Sequence, residues 1–344
     1  MRHPATLRLN HKDERQRRRA VRKLFEINDS INLVSFVPLL EDEDQWYRER
    51  AMEAITKWAG ANDLVIVEKL SNSEYIEQRV LASKISLRLG QEKLEIIDKL
   101  CSDKDIAVRI AGWESRFRAD SEKIDELILE GLKSEDKIIR KITINNLTKM
   151  KNIDVKIIIS ALQDDSYTVR KAALEIIKND SELSEIEIFD DYLLKMSDGN
   201  IKNELSGVIK ILAKRSLENK EIQEKVISWS ESESVEIIDP LISALRRIRW
   251  WEIKRIKKHM YEKSSDLFVT RLLRGNRETI ATEIRIKILS DSKRSEEMQA
   301  RLIEDLVGRP IGEEMLKIIK EISTSESVLL STISKEFLQE YEQI

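Results

Sequence analysis

An arginine returns at nearly constant spacing through the first half of this chain. Arg17, Arg48, Arg79, Arg109, Arg140 and Arg170 are separated by 31, 31, 30, 31 and 30 residues. The clearest copy runs from Leu162 to Ile177: an acidic turn with Asp164 and Asp165, then Val169-Arg170, then the small residues Ala172 and Ala173 before an apolar run. A period between about 20 and 50 residues marks a stacked-repeat architecture, because one such unit cannot bury its apolar face alone. The pattern weakens but persists through Asn203, Asp239, Arg271, Arg301 and Ser331, giving about eleven marked helices. The expected fold is all-α: a right-handed α–α superhelix of ten to eleven repeats of 30–31 residues. Each repeat is a pair of antiparallel helices with the marker near the start of the second.

Composition agrees with thin stacked helices. Nine glycines and four prolines in 344 residues, with 5% aromatics, are too few for a β architecture and its turns. Charged residues make up 36% of the chain, against about a quarter in ordinary globular domains. A repeat array has that much surface, and it also escapes the size ceiling of a single core. The single cysteine, Cys101, permits no internal disulfide and suits a reducing compartment. No apolar run is long enough to span a bilayer, and the first residues lack a secretory signal's apolar core. A cytoplasmic protein without a membrane partner is the expectation.

The spacing divides the chain into residues 1–11 as an irregular basic arm, 12–30 as a basic capping helix, 31–216 as well-formed repeats, and 217–344 as degenerate repeats with a closing helix. No Gly, Pro or Ser linker interrupts them, so a continuous solenoid is expected, with a soft joint near Ser228–Ser234. The turn residues Asp42, Asp103 and Asp164 lie six before their arginines, with Ser73 and Ser134 in the equivalent places. Asp and Ser there are expected to cap the second helix. Ala51, Ala82, Ala111 and Ala172 allow close helix approach.

The blocks from Val37 to Ala54, Ile97 to Ala111 and Ile159 to Ala173 resemble HEAT repeats, and the short period is similar to the compact variety in phycobilisome-lyase-like proteins. The resemblance covers about residues 12–340. It implies an armadillo-type solenoid in which turn acids and repeat arginines bond between neighbouring repeats. The six marker arginines and Asp42, Asp103 and Asp164 are therefore read as structural. Activity does not follow, since function resides in sites grafted on folds.

Catalytic signals are sparse. The histidines are His3, His11 and His259, with no zinc-like spacing, no phosphate-binding glycine loop and no nucleophile elbow. HEAT-repeat oxygenases hold iron with His-Glu dipeptides, and this chain has none. The HEAT-like DNA glycosylases use Trp and an acid; Trp113-Glu114-Ser-Arg116-Phe-Arg118 offers those types, but Trp113 is in register with the core positions Ile144 and Leu174. A glycosylase-like enzyme stays a remote alternative. The expectation is a non-enzyme with neither cofactor nor metal.

Two basic segments stand out from a chain of net charge −3. Residues 1–25 carry nine Arg or Lys against Asp13 and Glu14. On a helix from about Asp13 to Ile27, Arg15, Arg18, Arg19 and Arg22 form one stripe opposite Ala20, Val21, Leu24 and Phe25. That stripe fits either a solubilising cap or a docking surface. The second segment, Leu245–Lys258, has seven cations against Glu252. If it is helical throughout, Arg247, Trp251, Lys254 and Lys258 share a stripe, and Trp250 and Trp251 cannot both be buried in one layer. One exposed Trp among cations suits a binding anchor, while two buried rings would make the cations a solvated face. Two functions follow: a protein-binding scaffold or adaptor, and as the alternative a nucleic-acid or ribonucleoprotein binder using both patches.

Overall fold

A computed structural model describes residues 2–342, apart from 91–92, 151, 200–203, 218 and 292 and the side chain of Tyr261. The marker expected at Asn203 lies outside the described residues. The fold is all-α, with no strand among the described residues. It divides into two compact units, residues 1–154 and 155–344.

In the first unit α1 (Glu14–Ile27) and α2 (Gln45–Trp58) precede three helix pairs: α3 (Leu64–Ser71) with α4 (Ile76–Ser86), α5 (Lys93–Cys101) with α6 (Ile106–Ala119), and α7 (Ile124–Gly131) with α8 (Lys137–Asn145). Second helices touch in series, α2 to α4 to α6 to α8, and α3 touches α5 behind them. This is the HEAT-like stacking expected from the repeat. Ala51 and Ala82 are fully buried at these crossings, and Ala111 nearly so. The closest approach is at Gly112, where an added Cβ would lie 2.7 Å from the Cys101 nitrogen and 2.8 Å from the Leu100 carbonyl carbon.

Two local expectations change. The first eleven residues are not irregular: Pro4–Arg8 form a 3-10 turn in which the His3 Nδ1 accepts from the Ala5 N–H. Leu9 is buried and the His3 N–H donates to Asn32 Oδ1, so the segment packs on the unit it precedes. The helix expected before α2 is two 3-10 pieces, Ser30–Ser35 and Val37–Glu41. Pro38 opens the second, where its lacking N–H and clash with the preceding turn stop a longer helix.

In the second unit α9 (Val155–Leu162) pairs with α10 (Tyr167–Asn179), and the four-residue α11 (Ser181–Ser184) leads to α12 (Ile188–Asp198) and α13 (Leu205–Arg215). Four further pairs follow: α14 (Lys220–Ser230) with α15 (Val235–Leu245), α16 (Lys254–Glu262) with α17 (Asp266–Leu273), α18 (Thr279–Leu289) with α19 (Glu296–Glu304), and α20 (Glu313–Ile322) with α21 (Val328–Tyr341). Second helices again touch in series from α13 to α21, and α14, α16, α18 and α20 form the other row. Pro240 lies inside α15, not in its first turn as the spacing suggested, because these helices begin several residues before the marker.

The arginines show why the period is strict. Arg79 Nη1 donates to the Ser73 and Glu74 carbonyls of its own turn, at 2.9 and 3.1 Å. Its Nε and Nη2 meet Asp103 of the next repeat, at 2.8 and 3.1 Å. Arg48, Arg109, Arg140 and Arg170 make the same pair of carbonyl bonds, to residues six and five earlier. The forward partner varies: Asp42 for Arg17, Asp136 for Arg109, Glu204 for Arg170. Where the next turn has Ser73 in place of an acid, the Arg48 guanidinium lies over the Tyr75 ring, 4.4 Å from its centroid.

Asp42, Asp103 and Asp164 are not the helix caps they were expected to be. Each accepts the N–H of the residue two further on, an Asx turn, and the N-caps are Asp44, Asp105 and Ser166. The helix starts three residues before the arginine, so a residue six before falls outside it. Burial alone would raise the Asp103 carboxyl, but the Arg79 and Asp105 hydrogen bonds and the Arg79 charge hold it below its ordinary value.

Candidate functional site

Where the repeat decays, the arginine bond changes direction. Arg271 reaches back to Asp239 of the preceding repeat, so the old marker position now supplies the acid. The expected soft joint is stitched by serines instead: the Ser265 N–H donates to the Ser230 carbonyl at 2.9 Å, and Ser265 Oγ to the Ser232 carbonyl at 2.7 Å. Freed from the latch, arginines gather at the C-terminal ends of α15, α17 and α19.

Some of them cap helices. Arg246 Nη2 donates to the Arg271 and Arg274 carbonyls at 2.6 and 2.8 Å. Arg285, 1% exposed, donates to the Leu273 and Asn276 carbonyls and to Asp305. Carbonyls at a helix end lack intrahelical donors and carry partial negative charge, so guanidiniums there are stabilising. Asp305 also accepts from Arg309 and from the N–H of Gly275, whose φ of +74° turns the chain out of α17 as only glycine does readily.

Others have no such task. The side chains of Arg247, Arg274, Arg277 and Arg301 are exposed and make no hydrogen bond or ion pair among the described residues. A cleft of about 560 Å³ between α17 and α19 and a depression of about 550 Å³ between α15 and α17 share Arg271 and Arg274. Six arginines and three carboxylates line them. In a chain of net charge −3 this is a local concentration of positive charge.

The structure redistributes the basic segment at 245–258. It is not one helix: α15 ends at Leu245, Trp250–Glu252 form a 3-10 turn, and α16 starts at Lys254. The break tucks Trp250 to 1% exposure with Trp251 half-buried edge-on against it, 5.8 Å between centroids. Adjacent rings on a helix would diverge by about 100°, and the tighter turn lets one bury and the other cover it. The proposed stripe of Arg247, Trp251, Lys254 and Lys258 therefore does not exist. Arg247 joins the groove, whereas Lys254 and Lys258 stay exposed on α16 and line neither depression. Arg249, Arg255 and Lys257 face Glu252, Glu224 and Glu283.

On α1 the stripe forms as expected. Arg15, Arg19 and Arg22 are exposed and have no partner among the described residues, while Arg18 meets Glu14 and lies over Trp46. The sequence marks Arg271 and Arg301 only as repeat positions and assigns nothing to Arg274 and Arg277, which follow Arg271 at intervals of three, or to Arg309. Their signal was that spacing around a helix end.

Around Trp113 the ring and Arg116 of the glycosylase-like segment are taken up in packing and pairing, whereas Glu114 and Arg118 are exposed. Trp113 is buried against Phe117, Arg116 is paired with Asp98, and the Cys101 thiol is pushed up to about 12 by burial and then by Glu130. Among the described residues, no cluster of three His, Cys, Asp or Glu could hold a metal, and no helix is long and apolar enough to cross a membrane.

These features define an all-helical repeat protein of paired, HEAT-like helices with an arginine-lined groove. No protein-family model matches the chain, and no curated protein matches it in sequence. Solved structures similar to it include YibA of E. coli, at 15% identity over 78% of this chain and 97% of that one, with a TM-score of 0.49. An engineered protein is 17% identical, covering 98% of each chain at a TM-score of 0.40. A Kap121p mutant is 14% identical over 92% of this chain but 36% of its own, at a TM-score of 0.45. At that identity and overlap, none of them bears on activity or partner.

Proposed function

We propose that this protein is a non-enzymatic scaffold that binds a protein partner on the surface of its helix pairs. The observation that carries the reading is the set of three guanidiniums on one groove, Arg247, Arg274 and Arg301, unpaired among the described residues, in a protein whose repeat arginines are otherwise consumed by turns and carboxylates. Aromatic and Arg side chains dominate interface energetics, and an Arg with no internal partner is available to an incoming carboxylate at no cost in broken bonds. The unpaired row on α1 supports a second reading, binding of nucleic acid or a ribonucleoprotein.

A pull-down from native lysate separates them. It compares the wild type with Arg15→Glu/Arg18→Glu/Arg19→Glu/Arg22→Glu and with Arg247→Glu/Arg274→Glu/Arg301→Glu, with and without nuclease, at low and high salt. The scaffold reading expects proteins that survive nuclease and the α1 reversal. Capture abolished by nuclease would sink it. Steep salt dependence would accompany that outcome, because each neutralised phosphate releases counterions.

A further inference from the structure

We infer that the groove across α15, α17 and α19 takes an acidic peptide segment, with a carboxylate about every third residue and an apolar residue seated at one end. This rests on the scaffold reading and deepens it. Arg247 lies just past the end of α15, Arg274 at the end of α17 and Arg301 in the last turn of α19, 27 residues apart in sequence. Neighbouring packed helices lie about 8–10 Å apart. An extended peptide rises about 3.3 Å per residue, so carboxylates three apart recur every ~10 Å. One carboxylate per helix matches that step.

The lining favours a peptide over a polynucleotide. Asp239 and Glu304 sit among the guanidiniums. A phosphodiester, charged at every residue, would meet them; a peptide can place neutral residues there. Among the described residues no aromatic ring lines the two depressions, so they show no platform for base stacking. The walls instead include Leu267, Val307 and Ile242.

The groove also continues. Arg309 lines both the cleft and a third cavity of about 340 Å³, walled by Leu306, Ile311 and Met315 beside Arg277. That volume is at the small end of ligand cavities and suits one apolar side chain of the same peptide. The cavity is bounded by Arg285, whose buried Nε–H has no partner among the described residues.

The test is fluorescence anisotropy on the full chain with labelled twelve-residue peptides. One carries Glu at every third position among Ser and Gly with a terminal Leu; one has Lys for Glu; one has Ser for the Leu. A twelve-nucleotide single-stranded RNA is the fourth probe. The Glu peptide is expected to bind, the Lys peptide not, and loss of the Leu to weaken binding severalfold. Arg247→Glu/Arg274→Glu/Arg301→Glu is expected to weaken it at least tenfold while keeping the wild-type circular dichroism, since these side chains hold nothing in the fold. The inference is overturned if the RNA binds more tightly than the Glu peptide, if the triple variant binds the peptide as well as wild type, or if the Glu peptide does not bind. If the peptide arm fails but nuclease-resistant proteins are still captured by the triple variant, the scaffold reading stands without this site. If wild type captures none, both fall.

Discussion

At the scale of single residues, the arginines differ by what completes them. Arg79 and Asp103 are 5% and 12% exposed in their side chains, so removing one leaves the other charge largely desolvated. Breaking such a buried pair costs about 3–5 kcal/mol, and Arg79→Ala is expected to lose about 3 kcal/mol in urea unfolding. Arg48 has a ring in place of a carboxylate, and a cation–π contact with its carbonyl bonds contributes less, so Arg48→Ala should lose about 1–2 kcal/mol. The Asp103 carboxyl has a lower pKa folded than its ordinary unfolded value of about 3.9. Its contribution is therefore fully present above that value and lost as pH falls through the lower, folded one. The stability gap between wild type and Asp103→Asn should be constant from pH 7 to about 5 and close below pH 4. A gap that widens on acidification would contradict the assignment.

At the scale of elements, Gly112→Ala sets two effects against each other. Alanine favours a helix interior by up to about 1 kcal/mol, but the new methyl would press on the α5 backbone at Cys101, which cannot rotate away. Overpacking costs about 1–3 kcal/mol, so net destabilisation is expected, with the thermal midpoint as readout. The broken segment after α15 gives a second contrast. Trp250→Ala should lose about 3–5 kcal/mol as a buried ring, and Trp251→Ala under half of that. Equal losses would restore a uniform helix. This segment also shows the limits of the sequence. The period of the marker arginines made the helix pairs legible because each arginine bonds at fixed offsets to its own turn. The 245–258 break was not legible, since amphipathic spacing alone does not distinguish a helix from a turn that buries Trp250. The groove is not legible for a related reason: its members come from three helices and the turns that end them and are brought together only by stacking, although Arg271 and Arg274, three apart, announced its middle.

At the scale of the whole molecule, the charge balance is uneven in use more than in amount. A net charge of −3 hides arginines spent inside repeats, arginines capping helix ends, and a remainder exposed and unpaired among the described residues. Where the regular repeats hold, the acceptor lies downstream of its arginine, by 25, 24, 27 and 34 residues for Arg17, Arg79, Arg109 and Arg170. For Arg79, Arg109 and Arg170 the carbonyls that hold Nη1 lie five and six residues upstream, and for Arg17 the Leu9 carbonyl that holds Nε lies eight upstream. On a ribosome adding about 5–20 residues per second, each guanidinium emerges after the turn that aims it and roughly 1–7 s before the group it clasps. The first half of this protein is thus written so that every newly made repeat arrives at a hand already held open.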